Sequence, residues 1–234
     1  MTSSADKFDA GRAGEYAVQS RIALAGYEAC HELAACLLSA SLGHGGSARV
    51  LVVGAGGTAQ EVLAAGRLEP GWRFTAVDPS APMLASARAA VEAAGLSART
   101  SWQLGGVETL GEERSFDAAT LIGVLHHVPG RAAKLALLQE VAARLKPGAP
   151  FILAGNRGAY ADRPLFLSAW ATRWRMAGTA EEEVQAKIGK ILQGADPPAD
   201  DGDIAGLLAG AGFTAPDMFF SSLFWGGWIA RRIG

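Results

Sequence analysis

The sequence predicts an α/β fold in which a mostly parallel β-sheet is covered by helices on both faces. Five short apolar segments alternate with segments of helical character, which is typical of parallel strands joined by crossover helices. These segments are apolar nearly throughout, as expected of strands that are buried on both sides. With 234 residues, 50% of them hydrophobic, the chain is long enough for one such domain but short for two.

Local signals mark the ends of the elements. Gly54 ends the first apolar run, Asp78 ends the second, and a Lys-Pro-Gly sequence at residues 146–148 stops the helix before the fifth. Ser80 can cap a helix that has Pro82 near its first turn, where the missing N–H costs nothing. The expected helices span residues 11–25, 27–42, 59–66, 82–94 and 132–145, and the expected strands span residues 49–53, 74–77, 100–104, 116–124 and 150–154.

The pattern changes after the fifth strand. Residues 163–177, 180–193 and 201–211 have helical character, and residues 213–224 and 225–232 form two strand-like segments. A tight, glycine-containing connection joins this last pair, so we expect the two strands to be antiparallel. The chain therefore predicts a parallel sheet with an antiparallel end and additional helices after strand five.

Charge and composition exclude several classes of partner. The 21 basic and 23 acidic residues leave a formal net charge of −2, which favours neither nucleic acid nor a membrane surface. We find no apolar run long enough to span a membrane and no secretory signal pattern. Cys30 and Cys36 lie six residues apart on one expected helix, which prevents a mutual disulfide. We expect two buried, reduced thiols in a cytoplasmic protein that acts on small molecules.

A glycine loop after the first strand is the clearest indication of a ligand site. Gly54 and Gly56 precede a helix, where glycine permits a sharp turn and a close approach of ligand to backbone. The N-terminus of that helix adds unpaired N–H groups. Asp78, at the tip of the neighbouring strand, can accept hydrogen bonds from both hydroxyls of a ribose. A tight turn and a helix cap are the simpler alternatives, and the cap is compatible with ribose binding.

Two classes of cofactor fit this loop. The spacing Gly54-x-Gly56-x-x-Ala59 matches the nicotinamide dinucleotide fingerprint and also the looser nucleoside loop of methyltransferases. A short-chain dehydrogenase would need a Tyr-x-x-x-Lys pair, but Pro164 stands at that spacing from Tyr160. The helices before the first strand and the antiparallel ending favour the methyltransferase alternative.

Four segments resemble class I S-adenosylmethionine-dependent methyltransferases: VLVVGAGGTAQE, FTAVDPSAPML, FDAATLIGVLHHV and LLQEVAARLKPGAPFIL. The resemblance covers about residues 48–156 and the terminal strand pair. It implies a Rossmann-like seven-stranded sheet whose last strand is antiparallel, with S-adenosylmethionine as cofactor and S-adenosylhomocysteine as product. Residues 1–47 would form an N-terminal helical lid. Residues 48–234 would form the cofactor-binding domain, with a helical insertion at about residues 158–195.

The resemblance also implies cofactor-binding roles for individual residues. The glycine loop would face the methionine and ribose, Asp78 would hold the ribose hydroxyls, and a backbone N–H near Val107 would meet the adenine. Met83 would pack on the adenine or, alternatively, belong to the helix–sheet core. The complete expected set is Gly54, Ala55, Gly56, Asp78, Pro79, Met83, Gly106, Val107, Ile122 and Gly123.

The sequence departs from the family pattern at Gly106. The family usually has an aspartate after the first glycine of this loop, where it accepts a hydrogen bond from the adenine amino group. Gly106 cannot do so, which leaves Glu108 or a water molecule for that contact. Thr58, where many members have glycine, is a milder departure.

The helical cover resembles that of a narrower subgroup, the carboxy-S-adenosylmethionine synthase-like enzymes. Gly26-Tyr27 and residues 166–178 and 181–193 resemble its layout, but Ile188 falls where the subgroup has the arginine that pairs with the extra carboxylate. We therefore expect ordinary S-adenosylmethionine and keep the carboxylated cofactor as an alternative.

The expected chemistry is an in-line methyl transfer that depends mostly on holding two atoms close together and aligned. His126 and His127 follow strand four and are the candidate catalytic bases, or else one of them is a structural cap. Asn156 could orient an acceptor or form a turn. Tyr16, Tyr27 and Trp170 could line the acceptor pocket, although most aromatic stripes of the Phe166-Trp170-Trp174 kind are core.

The sequence thus predicts a methyltransferase that acts on an O or N atom of a small molecule, as part of metabolism. A non-catalytic or carboxy-S-adenosylmethionine-type binding protein is the alternative, and an NAD-dependent oxidoreductase is the third choice. We expect no metal, no nucleic acid and no membrane among its partners, and a monomer or homodimer.

Overall fold

The computed structural model describes residues 10–111 and 114–234. One seven-stranded sheet lies at its centre, with strand order β3-β2-β1-β4-β5-β7-β6. Strand β7 is antiparallel to both neighbours, and the other six strands share one direction, which confirms the expected sheet. The strands are β1 Arg49–Val53, β2 Arg73–Asp78, β3 Thr100–Leu104, β4 Ala118–Ile122, β5 Pro150–Asn156, β6 Asp217–Ser222 and β7 Trp225–Arg231.

Helices cover both faces of the sheet. The α-helices of the described ranges are α1 Ala10–Ala23, α2 Tyr27–Leu42, α3 Gln60–Leu68, α4 Ala81–Ala93, α5 Arg131–Arg144, α6 Pro164–Met176, α7 Glu181–Gly194 and α8 Asp201–Gly210. The first face packs against α2, α3 and α4, and the opposite face packs against α5 and α8. None of the helices in the described ranges is long and apolar enough to cross a membrane.

Strand β1 shows how the apolar runs supply both cores. Val50 and Val52 join the core beneath α2 and α3, whereas Leu51 and Val53 join the core on the other face. The chain moves outward from β1 to β2 and β3 and then returns to place β4 on the other side of β1. In such sheets the ligand crevice lies at the carboxyl ends of the two strands where the order reverses, here β1 and β4.

Helices α6 and α7 form the expected cover after β5. They build a third apolar cluster, separate from the two sheet cores. Its buried members are Tyr160, Trp170, Ala171, Trp174, Val184, Ile188 and Phe224. The aromatic stripe of the sequence therefore holds the cover together.

The two N-terminal helices differ in their surroundings. Cys30, Ala34 and Leu38 of α2 are buried in the same core as Val50 and Val52 of β1, so α2 is part of the framework. Helix α1 instead packs against α4 and α6. Of the expected lid of residues 1–47, residues 1–9 lie outside the described residues, and Tyr16 of α1 lies against the loop after β1.

One expectation about the cysteines was wrong. Cys30 is buried and Cys36 is exposed, and both are free thiols. Six positions along an α-helix turn a side chain by about 120° from its starting direction, so only one of the two can face the sheet.

The connection between β6 and β7 also differs from the expectation. It contains Leu223 and Phe224 and no glycine, and Leu223 has a φ of 49°. Gly226 and Gly227 lie within β7 instead. A Cβ on Gly226 would overlap the indole ring of Trp228, so close packing within the strand explains this glycine.

A buried carboxylate holds the connection between α2 and β1. Glu69, just after α3, is fully buried and accepts hydrogen bonds from the Ser39 hydroxyl and, at 2.9 Å, from the Gly45 N–H. Its Oε1 also lies 2.8 Å from Nδ1 of His44. The bond from Ser39, followed by the other two, lowers the pKa of Glu69 to about 2.

We expect Glu69→Gln to lower the unfolding midpoint at pH 7. A carboxylate whose pKa is lower in the folded state stabilises the fold above its unfolded pKa of about 4.3, and this contribution is lost as the pH falls towards 2. The difference between wild type and variant should therefore shrink below about pH 4.3. Glu32→Gln, on an exposed position of α2, is the matched control and should change little. A difference independent of pH would contradict the role of the charge.

Candidate active site

The loop from β1 to α3 is fixed by backbone hydrogen bonds to the neighbouring elements. The N–H groups of Gly54 and Ala55 both donate to the Val77 carbonyl of β2, at 2.8 and 3.2 Å. The N–H of Gly57 donates to the Met83 carbonyl of α4, at 2.9 Å. The loop therefore lies against the tips of β2 and α4.

Close packing explains the glycines of this loop. Gly54 has a φ of 72°, and a Cβ there would overlap Val124, which follows β4. A Cβ on Gly56 would lie 2.5 Å from Oδ2 of Asp78 and from the Cβ of Met83. Only glycine lets the ends of β1, β2 and β4 approach this closely.

Asp78 joins the glycine loop to the start of α4. Its Oδ2 accepts the Gly56 N–H at 2.9 Å, and its Oδ1 accepts the Ser80 N–H at 2.8 Å. Burial raises the pKa of this carboxyl, and the two hydrogen bonds partly oppose that effect. Because a carboxylate has about four acceptor positions, each oxygen can still accept a hydroxyl. The cap of α4 is Ser80, whose hydroxyl accepts the Met83 N–H, so Asp78 is not the cap.

The loop after β3 places a carboxylate over Gly106. The Glu108 side chain folds back so that its carboxylate lies where a Cβ on Gly106 would be. Thr109 fixes the turn by donating its hydroxyl to the Gly106 carbonyl at 2.7 Å. Val107 is fully buried in the second core. The carboxylate of Glu108 therefore lies against the Gly106 backbone.

Tyr16 of α1 crosses the glycine loop. A Cβ on Gly57 would overlap its ring, and its hydroxyl lies 3.9 Å from the Cβ position of Gly123, just beyond β4. Burial raises the pKa of Tyr16, and the nearby charge of Asp78 contributes to that shift. Tyr27 is held beside the same loop, with its hydroxyl 2.6 Å from Oγ1 of Thr58.

The two candidate bases have different environments. His126 is buried, and desolvation, followed by the charge of His127, holds its pKa well below the usual value. The two imidazole rings are 4.2 Å apart, and His127 is only half-buried. The N–H of Asp196, at the end of the cover, donates to the His126 carbonyl at 2.8 Å and so fixes this turn.

A polar group lies at the tip of β5. The side-chain nitrogen Nδ2 of Asn156 donates to the Tyr160 hydroxyl at 2.9 Å. The ring centroids of Tyr160 and Trp170 are 5.8 Å apart. Trp170 itself donates its indole N–H to the Ala23 carbonyl at the end of α1, at 2.7 Å. Tyr160 therefore contacts both Asn156 and Trp170, and Trp170 connects this group to the end of α1.

Sequence reasoning missed Trp225 and Tyr160. Trp225 begins β7 and pairs with Asn156 at the end of β5. The expected antiparallel pair contained a signal for it, because the first residue of a strand antiparallel to β5 lies beside the last residue of β5. Tyr160 had no comparable signal, since it enters the site through a turn after β5.

The described residues contain no group of three or more His, Cys, Asp or Glu side chains that could hold a metal ion. The cofactor class is indicated by the loops instead. A carboxylate at the tip of β2, a glycine loop beside it and a second carboxylate after β3 fit the hydroxyls and amino group of a nucleoside. Fold and site together are those of an α/β protein whose strand tips fit a nucleoside-type ligand.

The comparisons with known proteins agree with this class. Residues 51–151 match the family model described as a methyltransferase domain. No curated protein matches the chain significantly.

Solved structures of methyltransferases share the fold. The mitomycin 7-O-methyltransferase MmcR is 20% identical, with a TM-score of 0.61 over 86% of this chain and 53% of that one. An O-methyltransferase family protein from Burkholderia thailandensis is 16% identical, with a TM-score of 0.61 over 92% and 63%. A methyltransferase from Methanosarcina mazei is 17% identical, with a TM-score of 0.59 over 84% and 97%. Against several others the chain covers only 50% to 67% of their length.

Proposed function

We propose that this protein transfers a methyl group from S-adenosylmethionine to an O or N atom of a small metabolite. The observation that carries the proposal is Asp78, which lies against the glycine loop with acceptor capacity left on both oxygens. In this proposal Gly54, Ala55, Gly56 and Pro79 surround the methionine and ribose, and Met83, Val107, Ile122 and Gly123 pack around the cofactor.

Glu108 is proposed to replace the aspartate that is missing at position 106. Its carboxylate already lies over Gly106 and can accept a hydrogen bond from an adenine amino group. Ordinary S-adenosylmethionine remains favoured over the carboxylated cofactor, because Ile188 is buried in the cover cluster and supplies no positive charge. The two free cysteines support a reducing compartment such as the cytoplasm.

When bound, S-adenosylmethionine would supply an electrophilic methyl group on a sulfonium sulfur. An acceptor atom held in line with that methyl group would displace the thioether, which would leave with the bonding electrons. Most of the catalysis then comes from alignment of the two atoms. If the acceptor is a hydroxyl, its proton goes to a base, and His127 is proposed for this role with His126 beside it.

Asp78→Ala should weaken the binding of S-adenosylhomocysteine at least about tenfold, or about 1.4 kcal/mol, because charge-assisted ribose bonds are lost. Isothermal titration calorimetry measures this. The matched control is Asp117→Ala, since Asp117 also accepts a backbone N–H, that of Arg49 at 2.8 Å, but beside the start of β1. Equal affinities in wild type and Asp78→Ala, or no binding to wild type, would contradict the proposal.

We propose that the lid consists of α1 alone. Tyr16 extends from Gly57 to Gly123 across the proposed cofactor site, so it must move away before the cofactor enters. Tyr16→Ala should therefore raise the association rate of S-adenosylhomocysteine several-fold, because less of the protein is in a covered state. Stopped-flow tryptophan fluorescence measures the rate. Val18→Ala, at a 61% exposed position of α1, is the control. The same association rate in wild type, Tyr16→Ala and Val18→Ala would show that Tyr16 does not limit entry of the cofactor.

His127→Ala should lower the rate at which S-adenosylhomocysteine is formed about 10²-fold with hydroxyl acceptors, in line with typical general-base contributions. The assay measures the formation of S-adenosylhomocysteine with a panel of alcohols and phenols as acceptors. The affinity for S-adenosylhomocysteine should not change, because the imidazole would contact the acceptor. Full turnover by the variant would assign His127 a structural role.

A further inference from the structure

Two buried polar atoms at the tip of β5 have no hydrogen-bond partner among the described residues. They are Oδ1 of Asn156 and Nε1 of Trp225. The Asn156 side chain is 6% exposed. A buried donor or acceptor without a partner costs about 1–3 kcal/mol, so such groups are uncommon unless a ligand satisfies them.

The two atoms belong to one surface. Asn156 and Trp225 are direct partners across the antiparallel β5–β7 pair, and paired residues point to the same face of a sheet. The far edge of the Trp225 ring lies 3.5 Å from the Cβ position of Gly123, at the end of β4. Its ring also meets that of His126 edge-on, with centroids 5.7 Å apart. The pair is therefore next to the glycine-lined cradle and the two histidines.

The hydrogen-bond chemistry of the pair is complementary. An indole N–H can only donate, and the amide oxygen Oδ1 of Asn156 can only accept. The side-chain nitrogen of Asn156 already donates to Tyr160, so Oδ1 is the atom left for a ligand. One ligand atom can satisfy both only if it accepts one hydrogen bond and donates another. A hydroxyl does this, and an amine does so only after it has lost its proton, whereas an ether or carbonyl oxygen cannot donate and an ammonium group cannot accept.

We propose that Asn156 and Trp225 form the acceptor subsite and bind a hydroxyl group of the methyl acceptor between them. The inference rests on the proposed function and specifies its O-methyl branch. Among the described residues, His126 contacts Trp225 and Tyr160 contacts Asn156, and both of these neighbours are aromatic and carry no negative charge. A buried ammonium would lack compensation there, so the surroundings also favour a neutral hydroxyl.

Nuclear magnetic resonance of ¹⁵N-tryptophan-labelled protein tests the proposal directly. The chain has six tryptophans, and Trp225→Phe and Trp170→Phe assign the two indole N–H signals that matter. The full chain, saturated with S-adenosylhomocysteine, is titrated with phenol. We expect the Trp225 signal to move downfield in a saturable manner. The Trp170 signal, whose N–H already donates to Ala23, should stay in place.

Two further probes and one variant define the hydroxyl requirement. Anisole, which cannot donate, should bind at least about tenfold more weakly than phenol, equivalent to about 1.4 kcal/mol. Benzylammonium should not move the Trp225 signal. Asn156→Ala should weaken phenol binding by a similar factor while the affinity for S-adenosylhomocysteine is unchanged, which shows that the variant is folded.

The outcomes separate this inference from the proposed function. If wild type does not bind S-adenosylhomocysteine, the proposed function fails. If it binds the cofactor product but phenol leaves the Trp225 signal in place, the acceptor subsite is refuted. Equal binding of anisole and phenol, or a larger shift with benzylammonium, would refute the hydroxyl assignment.

Discussion

The carboxylate of Asp78 is the interaction on which the candidate active site depends. It accepts the Gly56 N–H with one oxygen and the Ser80 N–H with the other, so one side chain fixes the glycine loop and the start of α4. The approach is so close that a Cβ on Gly56 would lie 2.5 Å from the carboxylate. The glycine and the acid therefore require each other. Without the acid two buried N–H groups lose their acceptor, and without the glycine the loop cannot approach β2.

A second constraint determines where α1 can lie. The last carbonyl groups of a helix have no partners within it. At the end of α1 these partners come from the cover, because Trp170 donates to Ala23 and Arg173 donates to Ile22, each at 2.7 Å. The end of α1 is thus attached to α6, while Tyr16, two turns earlier, rests on the glycine loop. Helix α1 is therefore attached to α6 at its C-terminal end. Movement of its Tyr16 end would uncover the glycine loop while that attachment is kept.

The sequence predicted the sheet well because local signals determine it. Apolar runs, the Ser80 cap and the Lys-Pro-Gly stop define the elements within a few residues, and β3 and α2 have the expected bounds. Strand β4 is shorter than expected, because Gly123 turns at a φ of 79° and Val124 packs against Gly54. The β6–β7 connection was mispredicted because its glycines are needed for packing within β7.

The site was less predictable, since it depends on which side chains meet across elements. Gly54, Gly56 and Asp78 lie together as the motif suggested, and Tyr16 and Tyr27 lie beside them. Trp170 is buried in the cover cluster, and its indole N–H holds the end of α1. The position of Trp225 beside Asn156 depends on the register of β5 and β7, and the folded-back carboxylate of Glu108 depends on the conformation of its loop.

The two ends of the site differ in polarity, and this difference bears on the choice of base. The β2 end keeps a carboxylate, whereas the β5 end holds the uncharged His126, Asn156 and Tyr160. Methyl transfer from a sulfonium to a hydroxyl moves the positive charge towards the acceptor, and the proton must then leave. Burial disfavours the charged form of His126, so taking that proton there would be costly. His127 is half-buried and nearer to water, so its imidazolium would remain partly hydrated. In the proposed reaction the buried His126 therefore helps to shape the pocket, and the half-buried His127 receives the proton.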